Sequence, residues 1–235
     1  MRCAPGEVHI WRIELDCAVK TVAALSATLS PDEEQRAARF RSTELRDRWT
    51  VARGALRCIL ATYAGCAPGA VVFREGPQGK PALAPPVDDI PFNLSHTGGL
   101  ALVAIAERGR VGIDAEIVRP EVEVEDLSRR FFAPAEAAEI LALPPDARLA
   151  AFFTCWTRKE AFVKALGGGL SVPLDRFQVS VRTDEPPRLV WAEGEKTEHW
   201  SLLDLSEPGV AAALVVDGPT PLLHRMNFVP PYQEA

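Results

Sequence analysis

The sequence predicts an α+β protein of two similar halves, related as a pseudo-twofold pair, each half helices packed on a small, mostly antiparallel sheet. Three observations lead there. The chain runs twice through helical periodicity followed by short apolar strands, and the second cycle begins after Pro120. Its 235 residues fall between one large domain and two small ones. With 47% hydrophobic and 25% charged residues, it has the composition of a globular chain rather than a disordered or fibrous one. Two α+β subdomains, residues 1–108 and 109–235, set around a shared cleft, satisfy all three, although no sequence repeat proves a duplication.

Residues 8–15 (VHIWRIEL) are β-branched and aromatic and read as the first strand. Ser30 then caps a helix that has Pro31 in its first turn and acids at its positive end. Helices are expected over 31–41 and 44–64, and short strands near 70–74 and 100–106. The Pro- and Gly-rich residues 76–91 read as a loop between those strands. LALVAIA and VGIDAEI, joined by the polar turn Glu107-Arg108-Gly109-Arg110, read as a hairpin. The second cycle has helices near 134–142 and 147–166, then strands near 177–182, 188–192, 199–205 and 210–216. Residues 228–235 (FVPPYQEA) read as a surface extension.

A net charge of −6 argues against a broad nucleic-acid interface, because counterion release needs a basic surface. One local exception is a run of seven arginines from Arg36 to Arg57 against only Glu44 and Asp47, enough to receive a small polyanion. No apolar run reaches the roughly 18 residues of a spanning helix, and the start lacks a basic segment followed by an apolar one. A cytoplasmic protein with no membrane partner is expected. Cys3, Cys17, Cys58, Cys66 and Cys155 are scattered without a CxxC pair, so neither a disulfide framework nor a zinc site is indicated. Of the 26 basic residues only five are lysine, and three of these, Lys80, Lys159 and Lys164, fall inside motifs.

Four motifs could carry chemistry. In Gly112-Ile113-Asp114-Ala115-Glu116, a strand places both carboxylates on one side, about 7 Å apart. Such a pair can converge on a hard cation such as Mg²⁺, and equally suits the solvated face of a hairpin. In WTRKEAFVKALGGGL, Glu160 and Lys164 are neighbours on one helix face. Alone, they read as well as an exposed ion pair worth about 0.3–0.5 kcal/mol. Asn93-Leu94-Ser95-His96-Thr97-Gly98-Gly99 offers hydroxyls and backbone N–H groups to an anion, or is simply a polar turn. Adjacent Ser95 and His96 rarely reach nucleophile–base geometry, and no GxSxG elbow is present. Gly79-Lys80-Pro81 lacks the upstream glycine and the Ser/Thr of a nucleotide P-loop.

Taken in order, GKP, NLSHT, GIDAE and WTRKEAFVKALGGGL resemble the Sfp-type 4′-phosphopantetheinyl transferase family over about residues 53–174. The resemblance implies an enzyme that moves the 4′-phosphopantetheine arm of coenzyme A onto a serine of an apo acyl or peptidyl carrier protein and releases adenosine 3′,5′-bisphosphate. Carrier activation for polyketide, nonribosomal peptide or fatty acid synthesis follows. It places the active site in the cleft, with residues 1–108 on the coenzyme A side and 109–235 on the metal and catalytic side. Carried over by position, Asp114, Glu116 and Glu160 hold Mg²⁺, for which Mn²⁺ can substitute. Glu160 is also the base for the carrier serine, directly or through a water, and Lys164 stabilises or protonates the departing bisphosphate. His96 and Ser95 contact the phosphates, while Arg53 and Lys80, with Gly79 and Pro81, grip the adenosine end and its 3′-phosphate. Arg36, Arg39 and Arg57 are further candidate phosphate contacts. Thr97 stands where the family commonly has serine and keeps the hydroxyl. Length and the two-half pattern favour a monomer. Two alternatives stand beside this: a non-catalytic module that binds coenzyme A or a carrier protein, and a Mg²⁺-dependent coenzyme A pyrophosphate hydrolase.

Overall fold

The computed structural model describes residues 1–76, 79–85, 87 and 90–230, apart from the side chain of Leu170. Part of the expected surface extension, residues 231–235, lies outside the described residues. The first half of the chain runs β1 (Glu7–Glu14), α1 (Val19–Ser26), α2 (Pro31–Ala38), α3 (Thr43–Ala64), β2 (Phe73–Glu75), β3 (Pro81–Leu83), β4 (Phe92–Thr97) and β5 (Leu100–Ala106). Then follow β6 (Val111–Ile117), α4 (Val124–Phe131), α5 (Pro134–Ala142), α6 (Pro145–Leu166), β7 (Phe177–Val179), β8 (Leu189–Ala192), β9 (Trp200–Asp204), β10 (Val210–Asp217) and β11 (Leu222–Asn227).

Two sheets lie at the centre, in the orders β11-β1-β5-β4 and β6-β10-β9; β2–β3 and β7–β8 form small ribbons. Every pair is antiparallel except β1–β11, which is parallel. The alternation of side chains along the strands sorts the molecule into helix, sheet, sheet and helix layers. Val8, Ile10, Leu100, Leu102 and Ala104 meet Ile113, Ala115, Ala212 and Leu214 between the two sheets. The opposite face of the first sheet, with Ile13, Ala101, Val103 and Ile105, is covered by α1 and α3 through Leu25, Leu56, Ile59 and Leu60. Ala211, Ala213 and Val215 pack under Phe152, Phe162 and Val163 of α6. β5 is buried on both faces, which is why its sequence is an unbroken apolar run.

Several expectations are corrected. β5 and β6 are not a hairpin: β5 pairs with β1 and β4, and β6 crosses to β10 in the other sheet. Residues 92–97 form a strand rather than a polar turn, and 81–83 form a short strand inside the expected loop. Helices α1 and α4 were not expected; neither has a side-chain N-cap bond to mark its start. β11 pairs with β1, so residues 222–227 add to the first sheet across the expected boundary at 108/109. Among the described residues, no helix is long and apolar enough to cross a membrane.

Candidate active site

The site begins with a glycine. α6 packs directly on β6, and a Cβ built at Gly112 would lie 2.0 Å from the Ala161 carbonyl oxygen and 2.4 Å from the Ala165 amide nitrogen. Only glycine opposite two alanines lets the helix and strand backbones meet this closely. The strand face that carries Gly112 carries Asp114 and Glu116 as well, so both carboxylates turn toward α6. There Lys164 Nζ sits 2.6 Å from Asp114 Oδ1.

Asp114 perturbs both of the other acids. Burial raises Asp114 above the ordinary aspartate value, opposed by Lys164, Ser95 and the Ala115 amide. Glu116 is raised by burial and then by Asp114, and Glu160 by burial, Asp114 and Glu116, with Lys164 opposing. Negative charge is crowded into a poorly solvated place, and a cation would relieve it. Asp114, 3% exposed, keeps its Oδ2 buried without a hydrogen-bond partner. That orphaned oxygen and an all-carboxylate donor set fit a hard divalent cation. Among the described residues, no three acidic, histidine or cysteine side chains are drawn close enough to enclose a metal ion.

β4 explains the NLSHT sequence. Asn93, Ser95 and Thr97 turn toward β6, where their side chains accept the amides of Ile113 at 2.8 Å, Ala115 at 3.2 Å and Ile117 at 3.1 Å. Ser95 is buried and its hydroxyl is fully engaged: it donates to Asp114 Oδ1 at 2.9 Å and receives Lys164 Nζ at 3.0 Å. The residue expected on a phosphate is thus turned inward. His96 points the other way and reaches solvent; desolvation by its surroundings and then the Lys164 charge hold its imidazole below the ordinary value.

His96 lines a cleft of about 650 Å³ together with Ser30, Arg36, Trp49, Arg53, Phe73, Gly79 and Pro81. Arg53 is bonded to Glu33 and its guanidinium lies 3.8 Å over the Phe73 ring, so it is stacked and aimed within the cleft. Arg57 is a brace. It is buried, bonded to Glu33 Oε2 at 2.6 Å and to the carbonyls of Pro68 at 3.0 Å and Val71 at 2.9 Å. Burial pushes Glu33 up, but Arg57, the Ser30 amide and Arg53 outweigh it and hold the carboxyl below the usual range. Arg36 packs over Trp49, and Arg39 lines an adjoining depression. Lys80 does not offer its ammonium to this cleft. It donates to the carbonyls of Val111 at 2.9 Å and Lys164 at 2.6 Å, and burial lowers its pKa to about 8. The GKP lysine therefore ties its segment to the end of α6 and the start of β6.

Three supports escaped the sequence reading. Lys159 and Glu136 form a wholly buried pair at 2.7 Å on the far side of α6 from Asp114. Lys159 also donates to the carbonyls of Leu174 and Phe177, both at 2.7 Å. Arg158, equally buried, holds Ser180 O at 2.7 Å. The arginine–lysine asymmetry and a place in WTRKEAFVKALGGGL both point to Lys159, and Arg158 stands in the same motif; nothing local marks Glu136.

This frame, with acids and a lysine beside an arginine-lined cleft, has the features of an enzyme that handles a phosphorylated substrate. The 4′-phosphopantetheinyl transferase superfamily matches residues 110–215, which contain β6 and α6. The chain is 41% identical to 4′-phosphopantetheinyl transferase HetI of Nostoc over 215 residues, 90% of this chain and 88% of that protein. A 4′-phosphopantetheinyl transferase of Bacillus subtilis is 32% identical, covering 68% of this chain and 70% of its own. The crystal structure of Thermotoga maritima holo-acyl-carrier-protein synthase overlaps 46% of this chain and 62% of its own with a TM-score of 0.38 and 26% identity. The protein belongs to the 4′-phosphopantetheinyl transferase superfamily.

Proposed function

We propose that this protein transfers the 4′-phosphopantetheine arm of coenzyme A to a serine of an apo acyl or peptidyl carrier protein. The observation that carries the reading is Asp114, buried with one oxygen unpartnered, beside Glu116, Glu160 and Lys164 and close to the arginine-lined cleft. The carrier serine oxygen bonds to the phosphorus that bears the pantetheine arm, and the bond from that phosphorus to the bridging oxygen breaks. The serine proton passes to Glu160, whose burial raises its proton affinity. Lys164 stands one helical turn on to meet the charge that develops on the departing adenosine 3′,5′-bisphosphate. Arg53 and His96, with Gly79 and Pro81, receive the adenosine and phosphate end in their cleft. Lys80 serves by holding that wall against α6. A Mg²⁺ ion, or Mn²⁺ in its place, held by Asp114, Glu116 and Glu160 would neutralise pyrophosphate charge.

In this reading the first subdomain supplies the coenzyme A side and the second the catalytic side, within a cytoplasmic monomer that needs neither nucleic acid nor membrane. The test is mass spectrometry of a panel of apo carrier proteins incubated with the protein, coenzyme A and Mg²⁺. The expected result is a gain of one phosphopantetheine group on at least one carrier. Coenzyme A cleavage without any carrier would mark a pyrophosphate hydrolase, and binding without turnover a non-catalytic module.

A further inference from the structure

The contacts between β4 and β6 repeat in register. Ser95 Oγ accepts the Ala115 amide and donates to the carboxylate of Asp114, 20 and 19 residues away. Thr97 Oγ1 does the same two residues on: it accepts the Ile117 amide at 3.1 Å and donates to Glu116 Oε2 at 3.4 Å, again 20 and 19 residues away. Asn93 takes the Ile113 amide in the same register, opposite Gly112, which has no side chain to hold. Alternate side chains of one strand thus act as a comb across the other. Each hydroxyl takes an amide with a lone pair and spends its single proton on the carboxylate preceding that amide.

We infer that Ser95 and Thr97 are positioning residues, each holding one member of the Asp114–Glu116 carboxylate pair at a set orientation through its hydroxyl, rather than contacts to the substrate phosphates. The terminal torsion of a carboxylate is soft and has no strong preference of its own. An amide hydrogen bond on one side of the hydroxyl directs its proton, and the proton in turn sets the carboxylate. At Asp114 both Ser95 and Lys164 take Oδ1, which leaves Oδ2 as the unpartnered oxygen. Outer partners of this kind orient the groups that meet a cation, and their loss typically costs about 10–100-fold in affinity or activity. The inference rests on the metal-holding reading of these two acids, and the experiment separates the two.

Three variants carry the test: Thr97→Val, which keeps the shape and removes the hydroxyl; Thr97→Ser, which restores it; and Ser95→Ala. Thr97 is only half-buried, so its variants keep the test open should Ser95→Ala fold poorly. Mn²⁺ binding without coenzyme A is followed by electron paramagnetic resonance, coenzyme A binding in EDTA by calorimetry, and transfer by kcat and KM. Thr97→Val and Ser95→Ala are expected to weaken Mn²⁺ binding about 10–100-fold, with coenzyme A affinity in EDTA unchanged and Thr97→Ser close to the parent. Parental Mn²⁺ affinity in Thr97→Val, or loss of coenzyme A affinity in EDTA, overturns the inference; the second result would make the hydroxyls phosphate contacts. If the parent itself binds no Mn²⁺, the metal reading falls. The kcat of Thr97→Val then decides: a drop at unchanged KM, restored by Thr97→Ser, supports positioning, and a parental kcat refutes it.

Discussion

Adding one methyl group at Gly112 should disable the site without touching any of its functional groups. In Gly112→Ala the new Cβ would sit 2.0 Å from the Ala161 carbonyl oxygen, whereas ordinary contact begins near 3.4 Å. Both clashing groups are helix backbone, with no flexible side chain to swing aside. α6 must therefore recede from β6 by about 1.4 Å, the difference between those two distances, unless the strand bends by as much. Lys164 rides on α6 and Asp114 on β6, so their 2.6 Å contact stretches beyond hydrogen-bonding distance, and Glu160 moves with the helix. Overpacking of this kind costs about 1–3 kcal/mol in stability, which for a chain of this size lowers Tm by roughly 2–12 °C. A misplacement of about 1 Å typically costs about 10²-fold in rate. The KM for coenzyme A should change less than kcat, because Arg53 is held by Glu33 of α2 and by the Phe73 ring rather than by α6. Thermal melts and single-turnover transfer, measured on the same preparation, check both numbers. A folded Gly112→Ala with parental kcat would refute the idea that backbone contact between α6 and β6 sets the catalytic geometry.

Other perturbations separate the roles of the remaining residues. Glu160→Gln should stay folded and lose about 10²–10³ in kcat, and Lys164→Arg should be strongly impaired because its longer fork cannot reproduce the contact with Asp114; single-turnover assays on both check this. Arg53→Ala should raise the KM for coenzyme A more than that for its 3′-dephospho form, and equal effects on the two would remove Arg53 from the 3′-phosphate. Lys80, lowered by burial to about 8 in the folded state against an ordinary value near 10.5, binds fewer protons folded than unfolded between those values. Its contribution to stability should therefore rise with pH from about 8 to about 10.5 and be flat below. Denaturant melts of the parent and Lys80→Met across that window should differ in slope, and parallel curves would refute the shift.

Local pattern carried much of this protein. The capping sequence at Ser30 and Pro31 marks α2, and the structure adds a capping box, in which the Ser30 hydroxyl accepts the Glu33 amide and the Glu33 carboxylate accepts the Ser30 amide. The period-two alternation of GIDAE puts Asp114 and Glu116 on one face, and the i, i+4 spacing makes Glu160 and Lys164 neighbours, whatever surrounds them. What tertiary structure decided was who faces whom. Leu100–Ala106 and Val111–Ile117 are as good a hairpin as any by sequence, yet each finds a different partner, because stacking the two sheets buries the inner faces of both. NLSHT looks like a polar turn because strands seldom bury hydroxyls and amides. It is a strand because Ile113, Ala115 and Ile117, some 20 residues away, present amides for those side chains to satisfy. The same holds for Arg57, whose charge is matched by Glu33, and for Lys80, whose ammonium meets carbonyls of β6 and α6. Periodicity is a property of neighbours along the chain, whereas the satisfaction of a buried polar group depends on partners that only the packed structure brings within reach.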